Sequence, residues 1–350
     1  MKPVIICGGI GSKMWPESRA KSPKHFLPFF DGRSLFQINW DLLRQKFQPS
    51  DIFLQTNEVQ AKIAKEQVPE VVDDNIIIEP ELRNHGPATC LAAASLFKRG
   101  FEDEPFMLVQ ADVLREPGDK FLEMLEVCDG LIRREGKMIT GGNRPEFAIM
   151  GIDYLIKGDK VRNEGEIGVF KIDKFLWRST KEAVEELIKD GQALTHANHY
   201  GWTPRLFLEM VKRLRMEWWE PLDNFIHGAE LKKEYAKMPK GPIEDVTQHM
   251  FTEGLVVELP FRWIDFGTWE SVAHYLKDQR SNIKDEDRSE IEANDNFIRR
   301  PKGKYVALIG VNNLVVIDTG DALLIVDKSQ SGKVGAVVDK LKEEGRGELL

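Results

Sequence analysis

Two lysines and three glycines near the start of the chain are of the right types and order to hold a phosphate chain. The short β-branched run Val4-Ile5-Ile6-Cys7 ends in Gly8 and Gly9, and Gly11, Ser12, Lys13 and, further on, Lys24 follow. A buried strand that breaks into glycines lets the backbone approach an anion closely and turn its N–H groups toward it, while the lysines add positive charge. Packing alone also produces Gly-Gly-x-Gly turns after strands in α/β proteins, so the loop by itself leaves both readings open. It is not a P-loop, which ends in Gly-Lys-Ser/Thr, nor a dinucleotide fingerprint, which needs a third glycine three residues on. A hydride-transfer enzyme is therefore disfavoured. A further candidate is Asp112, placed just after the apolar strand Phe106–Gln110. A carboxylate at a strand end beside a phosphate loop suits Mg²⁺, a hard cation, although a lone aspartate there is more often a turn or cap residue.

The elements that must carry these groups alternate. Helical spacing over 34–46, 59–68, 88–97 and 117–135 separates short apolar runs at 51–56, 75–79, 106–110 and 138–140. That alternation predicts an α/β fold, a Rossmann-like, mostly parallel mixed sheet covered by helices. Ligands of such sheets collect at the carboxyl ends of strands, where the glycine run and Asp112 both stand.

The residues after the glycines narrow the choice. Gly8-Gly9-x-Gly11-Ser12-Lys13-Met14-Trp15-Pro16, with Ser18-Arg19 and Pro23-Lys24-x-Phe26-Leu27, resembles the signature loop of the sugar-1-phosphate nucleotidylyltransferases. It is most similar to the form GGxGTRLWPLSR…PKQFL carried by that family's mannose-1-phosphate guanylyltransferases. Lys13 stands where the family usually has arginine, a change from a planar fork to a point charge. Ile78-Glu79-Pro80-x-x-Arg83-Asn84-x-x-Pro87-Ala88 resembles the EPxxRNTAPA segment, which in the family helps hold the guanine and its ribose. A carboxylate suits guanine's two adjacent N–H donors; backbone groups could serve as well, and Arg83 and Asn84 could instead satisfy loop carbonyls. Trp263-Ile264-Asp265-Phe266-Gly267-Thr268-Trp269 resembles WxDxGxW. The resemblance implies that Asp265 is the second carboxylate, with Asp112, on Mg²⁺.

On the sugar side the chain departs from the pattern. Arg144-Pro145-Glu146 with Met150-Gly151-Ile152 resembles RPETGYGYI, which implies that Gly151 lets the sugar approach the backbone. The FVEKP box aligns with Phe175-Leu176-Trp177-Arg178-Ser179, so glutamate becomes Trp177 and lysine becomes Arg178. The WNSGxF box aligns with Trp202-Thr203-Pro204-Arg205-Leu206-Phe207, without its Asn-Ser-Gly. Trp177 and Arg178 are the sugar-phosphate candidates that remain. His196 and His199 have no third ligand at a useful spacing and read as a polar loop at a pocket rim. Gly241-Pro242-Ile243-Glu244-Asp245-Val246 resembles SIDxAVME and is expected to begin a helix, whereas Trp218, Trp219 and Phe225 read as helical core.

Net charge is -8, which argues against duplex nucleic acid or an anionic membrane as main partner. Cys7, Cys90 and Cys128 sit in apolar segments without metal-like spacing and read as core residues of a reducing compartment. The chain starts directly in a strand and lacks an apolar run long enough to span a bilayer, so a cytoplasmic protein is expected. The catalytic domain is expected over 1–278, a polar linker over 279–303, and a small C-terminal β-domain over 304–350, with strands at 305–309, 314–318 and 322–326 and a helix over 332–344. That last region resembles the β-domain of the guanylyltransferases, and the fused isomerase domain of longer relatives is expected to be absent. The implied substrates are GTP and a sugar-1-phosphate, mannose-1-phosphate first, giving GDP-mannose and pyrophosphate. The three short C-terminal strands bury little apolar surface alone, so they are expected to pack on the catalytic domain or to pair with a second copy as a homodimer. Another sugar or base, a nucleotide-sugar-binding regulator, or an assembly subunit are the alternatives.

Overall fold

Val4 and Ile5 point to opposite faces of strand β1 (Lys2–Ile6) and both are wholly buried, so this strand, paired in parallel on each edge within a nine-stranded sheet, is covered on both faces. The computed structural model describes residues 1–9, 11–145, 152–177, 180–280 and 287–350. They form two units. The first comprises Met1–Gly8, Asn39–Ala111 and Arg115–Trp263, the second Gly9–Ile38, Asp112–Leu114 and Ile264–Leu350.

In chain order, β1 is followed by α1 (Leu35–Arg44), β2 (Phe53–Thr56), α2 (Glu58–Gln67), β3 (Ile76–Ile78), α3 (His85–Lys98), β4 (Phe106–Gln110) and β5 (Val113–Glu116). Then come α4 (Gly118–Glu135), β6 (Ile139–Asn143), β7 (Tyr154–Glu164), β8 (Ile167–Leu176), α5 (Lys181–Lys189) and β9 (Ala193–Trp202). Helices α6 (Pro204–Leu214), α7 (Met216–Ile226), α8 (Leu231–Tyr235) and α9 (Glu244–Thr247) lead to β10 (Leu255–Glu258) and β11 (Arg262–Asp265). The sheet of the first unit has the order β3-β2-β1-β4-β9-β6-β10-β8-β7. Its ladders make β8 and β9 run against the other seven strands, so the sheet is mixed but mostly parallel, as the alternation predicts. Cys7, Glu79 and Ala111 follow β1, β3 and β4 and continue their ladders by one more bond, to Gln55, Thr56 and Ile6 carbonyls. Motif-bearing residues thus stand at the carboxyl ends of neighbouring strands.

Local chemistry sets the helix starts. Asn57 caps α2 by accepting from the Gln60 N–H at 2.9 Å, and Thr203 caps α6 while Pro204 occupies its first position. Trp218 is buried in α7 and belongs to the same core as Trp202 and Phe207, as its helical spacing suggests. The expected helix from Gly241 proves to be one turn. After Thr247 the chain tightens to bonds from His249 to Val246 and from Met250 to Thr247, which cannot propagate an α-helix. His196 and His199 are not in a loop. Both lie on β9, which is paired on either side, and both are buried.

In the second unit α10 (Trp269–Arg280) precedes β12 (Arg288–Ile291), β13 (Phe297–Arg299), β14 (Val306–Ile309), β15 (Leu314–Asp318), β16 (Leu323–Asp327) and α11 (Gly335–Glu343). Strands β12 and β13 occupy the stretch expected as linker. They pair in parallel with β14 and β15, and Asn294 meets Asn312 across the same offset of 18 residues. The turns repeat with the strands: Glu292 and Gly310 have φ of 49° and 67°, and Asp295 and Asn313 have 55° and 58°. These are two rungs of a β-helix whose polar residues are turns rather than solvated coil, since the side chains of Asn296 and Asn312 bond to backbone across the rungs. Strand β16 then folds back antiparallel on β15. The core of this unit joins Met14, Trp15 and Phe29 to Trp269, Val315 and Ile317.

Candidate active site

The glycine loop takes its shape from two left-handed residues, Gly9 at φ 73° and Gly11 at φ 75°. A single 3₁₀ turn, Ser12–Met14, follows, closed by the Met14 N–H donating to Gly11 O at 2.8 Å. Trp15 locks the loop to its own unit: its indole N–H donates to the Leu349 carbonyl at 2.9 Å, and its own carbonyl accepts from the Trp269 indole at 2.9 Å. Arg19 makes a two-pronged pair with Asp321, and Arg299 pairs with Glu17 at 2.7 Å. The loop is thus held by the β-helix region of the same unit, leaving Lys13 exposed.

Lys24, Asp112 and Asp265 come together there. The Lys24 ammonium is ion-paired with Asp112, and the Phe266 N–H donates to the Asp112 carbonyl at 3.3 Å, joining the two acid-bearing segments. Burial pushes Asp112 up, but the Lys24 ammonium more than offsets it and holds the carboxyl below the usual carboxylate range. Asp265 goes the other way. Burial and the facing Asp112 raise it to about 6, against the pull of Lys24 and Lys13. Part of Asp265 still meets solvent, so the group is crowded by protein yet reachable. Desolvation lowers Lys24, and the two carboxylates more than restore it, so it remains a cation. Two mutually repelling carboxylates with all-oxygen donors fit Mg²⁺, which takes one or two carboxylates and completes its shell with water and substrate phosphate. Among the described residues no group of three acids, histidines or cysteines forms a closed metal cage.

In the first unit, the segment after β3 is clamped from 156 residues away: Glu79 Oε1 accepts from the Tyr235 hydroxyl at 2.7 Å, and also from the Arg83 N–H at 3.3 Å. Arg83 is engaged on both sides of the segment. Its guanidinium bonds Glu81 and the Met238 carbonyl. Asn84 sits at φ 72°, its side-chain oxygen accepting from the His85 N–H at 2.8 Å. Pro87 and Ala88 lie buried in the first turn of α3, and the Ala88 carbonyl accepts from the Gln55 amide at 2.5 Å. His85 reaches Glu244 at 2.8 Å, and Glu244 also accepts from Tyr200 at 3.4 Å.

The family description "Nucleotidyl transferase" matches residues 2–140, and "MannoseP isomerase/GMP-like beta-helix domain" matches residues 289–341. The second begins where the rungs begin. A mannose-1-phosphate guanylyltransferase of Salmonella muenchen is 27% identical over 358 residues, covering 99% of this chain and 74% of that one. One of Escherichia coli K12 is 28% identical over 364 residues with the same shares. A Thermus thermophilus structure described as a mannose-1-phosphate geranyltransferase superposes with a TM-score of 0.83 at 24% identity, covering 97% of this chain and 99% of that chain. The chain is similar over nearly its whole length to proteins named mannose-1-phosphate guanylyltransferases, with a nucleotidyl transferase match in its first part and a β-helix-domain match in its last.

Of the sites the nucleotidyltransferase resemblance implies, the second unit brings together Gly9, Gly11, Ser12, Lys13, Lys24, Asp112 and Asp265, while Gly8, Glu79, Arg83, Asn84, Pro87 and Ala88 belong to the first. Gly151 and Arg178 lie outside the described residues. Trp177, just past β8, is exposed, with Phe175 packed edge-on against it at 6.1 Å. Sequence reasoning missed Tyr235 and the His85–Glu244 pair. Tyr235 belongs to no recognisable motif, whereas His85 was visible as a departure from the threonine of the nucleotidyltransferase pattern.

Proposed function

We propose that this protein transfers a guanylyl group from GTP to mannose-1-phosphate, giving GDP-mannose and pyrophosphate. A phosphate oxygen of the sugar phosphate attacks the α-phosphorus in line, the bond from that phosphorus to the bridging oxygen breaks, and pyrophosphate leaves with the electron pair. No covalent enzyme intermediate is needed; the protein's work is positioning and charge neutralisation. The observation that carries this reading is the Lys24–Asp112–Asp265 cluster packed against the glycine turn. Lys13 and Lys24 meet the triphosphate, with the N–H groups of the Gly9–Ser12 turn beside them. Asp112 and Asp265 hold Mg²⁺, which when bound neutralises charge on the phosphate oxygens. Glu79 accepts from the N–H edge of guanine. The chemistry suits the cytoplasm, and among the described residues no helix is long and apolar enough to cross a membrane.

The test is pyrophosphate release over a panel of nucleoside triphosphates and hexose-1-phosphates, with and without chelator. GTP with mannose-1-phosphate should be the preferred pair and chelator should stop the reaction. Preference for another pair would replace the substrates, and chelator-insensitive turnover would remove the metal.

The protein acts as a homodimer through its β-helix region. Ile291 and Ile309 are register partners on β12 and β14 and both are exposed, as are Leu323 and Ile325 on β16. Exposed apolar side chains on these two short sheets favour self-association. Ile291→Lys with Ile309→Lys should yield monomers by light scattering; a monomeric parent protein would reject the dimer.

A further inference from the structure

Glu79 is a carboxylate with one oxygen occupied and the other open. Its residue surface is 8% exposed, and no cation lies against it among the described residues, because Arg83 turns its guanidinium to Glu81 and Met238. A carboxylate withdrawn from water without a counter-charge is costly, so a fold that keeps one has a use for its acceptor atoms. Oε1 already accepts two hydrogen bonds, from Tyr235 and from the Arg83 backbone, and each carboxylate oxygen has about two lone-pair sites. No donor among the described residues reaches Oε2.

Tyr235 is held in place. It is 1% exposed at the end of α8, in a segment fastened to the start of α3. The Gly86 N–H donates to the Gly241 carbonyl at 3.1 Å, and the Trp218 indole donates to the Pro239 carbonyl at 2.9 Å. Burial and the adjoining Glu79 push the Tyr235 hydroxyl up, so it stays a hydrogen-bond donor.

We propose that Tyr235 is a positioning residue for base discrimination: by saturating Glu79 Oε1 it presents Oε2 as one oriented acceptor for the N–H edge of guanine. The inference rests on the assignment of Glu79 to the base. An ionised carboxylate fixed in this way rejects adenine, whose ring N1 offers a lone pair where guanine offers an N–H. Without the Tyr235 hydroxyl, Glu79 can rotate and hold a proton more easily. A carboxyl that donates as well as accepts no longer separates the two purines.

The experiment is steady-state kinetics of the full chain and of Tyr235→Phe and Glu79→Gln with GTP, ITP and ATP, alongside thermal melts. ITP keeps the N1–H but lacks the 2-amino group. Tyr235→Phe should raise the GTP KM about tenfold, leave kcat within about twofold, and lower the GTP-over-ATP ratio of kcat/KM about tenfold. Glu79→Gln should lower that ratio further, and in both variants GTP should lose its advantage over ITP. If Tyr235→Phe merely melts earlier and slows all three nucleotides alike, the hydroxyl is structural and the inference fails. If Glu79→Gln shifts the ratio while Tyr235→Phe does not, the inference fails and Glu79 still reads the base. If neither variant shifts it, the inference and the Glu79 assignment fail together.

Discussion

Gly11 lies directly against the stem of Lys24, so that a β-carbon on Gly11 would stand 2.7 Å from Lys24 Cγ and 2.8 Å from Cδ. The glycine is required twice over, by its left-handed backbone and by this approach, and the second requirement couples the turn to the ammonium that pairs with Asp112. Gly11→Ala should therefore displace Lys24 as well as strain the loop. A left-handed alanine costs about 1–2 kcal/mol, a modest loss in melting, while pyrophosphate release should fall at least about tenfold. A variant with near-normal turnover would show that Lys24 does not depend on the turn.

Asp265→Asn separates function from stability. Removing one carboxylate from the cluster should lower turnover by about two orders of magnitude. The stability effect has the opposite sign. Asp265 is raised from 3.8 to about 6, so the folded protein binds its proton more tightly than the unfolded chain does. Its contribution is fully present below pH 3.8 and is lost as pH rises to about 6. Asparagine cannot ionise. In chelator the variant should match the parent protein near pH 4 and melt higher at pH 7.5, and a lower melting temperature at pH 7.5 would contradict the repulsion from Asp112.

Gly86 tests the clamp on the base side. A β-carbon there would meet Trp218 at 2.5 Å and the Gly241 carbonyl at 2.6 Å. The carbonyl is backbone and the indole is buried, so neither yields easily. Gly86→Ala should cost about 1–3 kcal/mol, the scale of overpacking, and raise the GTP KM. Denaturant midpoints and nucleotide titrations read the two effects separately.

Trp177 stands where the FVEKP box that this stretch resembles has a glutamate, exchanging an acceptor for sugar hydroxyls for a flat apolar face. Fewer polar groups are then left unpaired by a wrong epimer, so discrimination between mannose- and glucose-1-phosphate should be loose. Trp177→Glu should raise the ratio of their specificity constants about tenfold. Strong mannose selectivity in the parent protein would show that other residues read the sugar.

The sequence by itself located β1 to β4, the helices α1 to α4 around them, and the strand ends that bear the glycine turn and Asp112, because apolar period and glycine breaks are local signals. It also singled out Lys24, Asp112 and Asp265. Only the tertiary structure decided that Lys24 binds Asp112 while Asp265 is left to be raised by it, that Tyr235 closes on Glu79 from 156 residues away, and that Arg83 is shared between Glu81 and the distant Met238 carbonyl. A bond between side chains distant in the chain leaves no periodic trace in either segment. The β-helix rungs lie between these cases: an 18-residue offset is present in the sequence, but its strands are three to five residues long and separated by polar turns. Composition therefore reads 279–303 as linker, and the strands are recognised only once their partners stack on them. His196 and His199 fail as rim residues for a related reason, since a polar side chain on a strand is buried or exposed according to the neighbours of that strand, which the order β4-β9-β6 supplies and the local run does not.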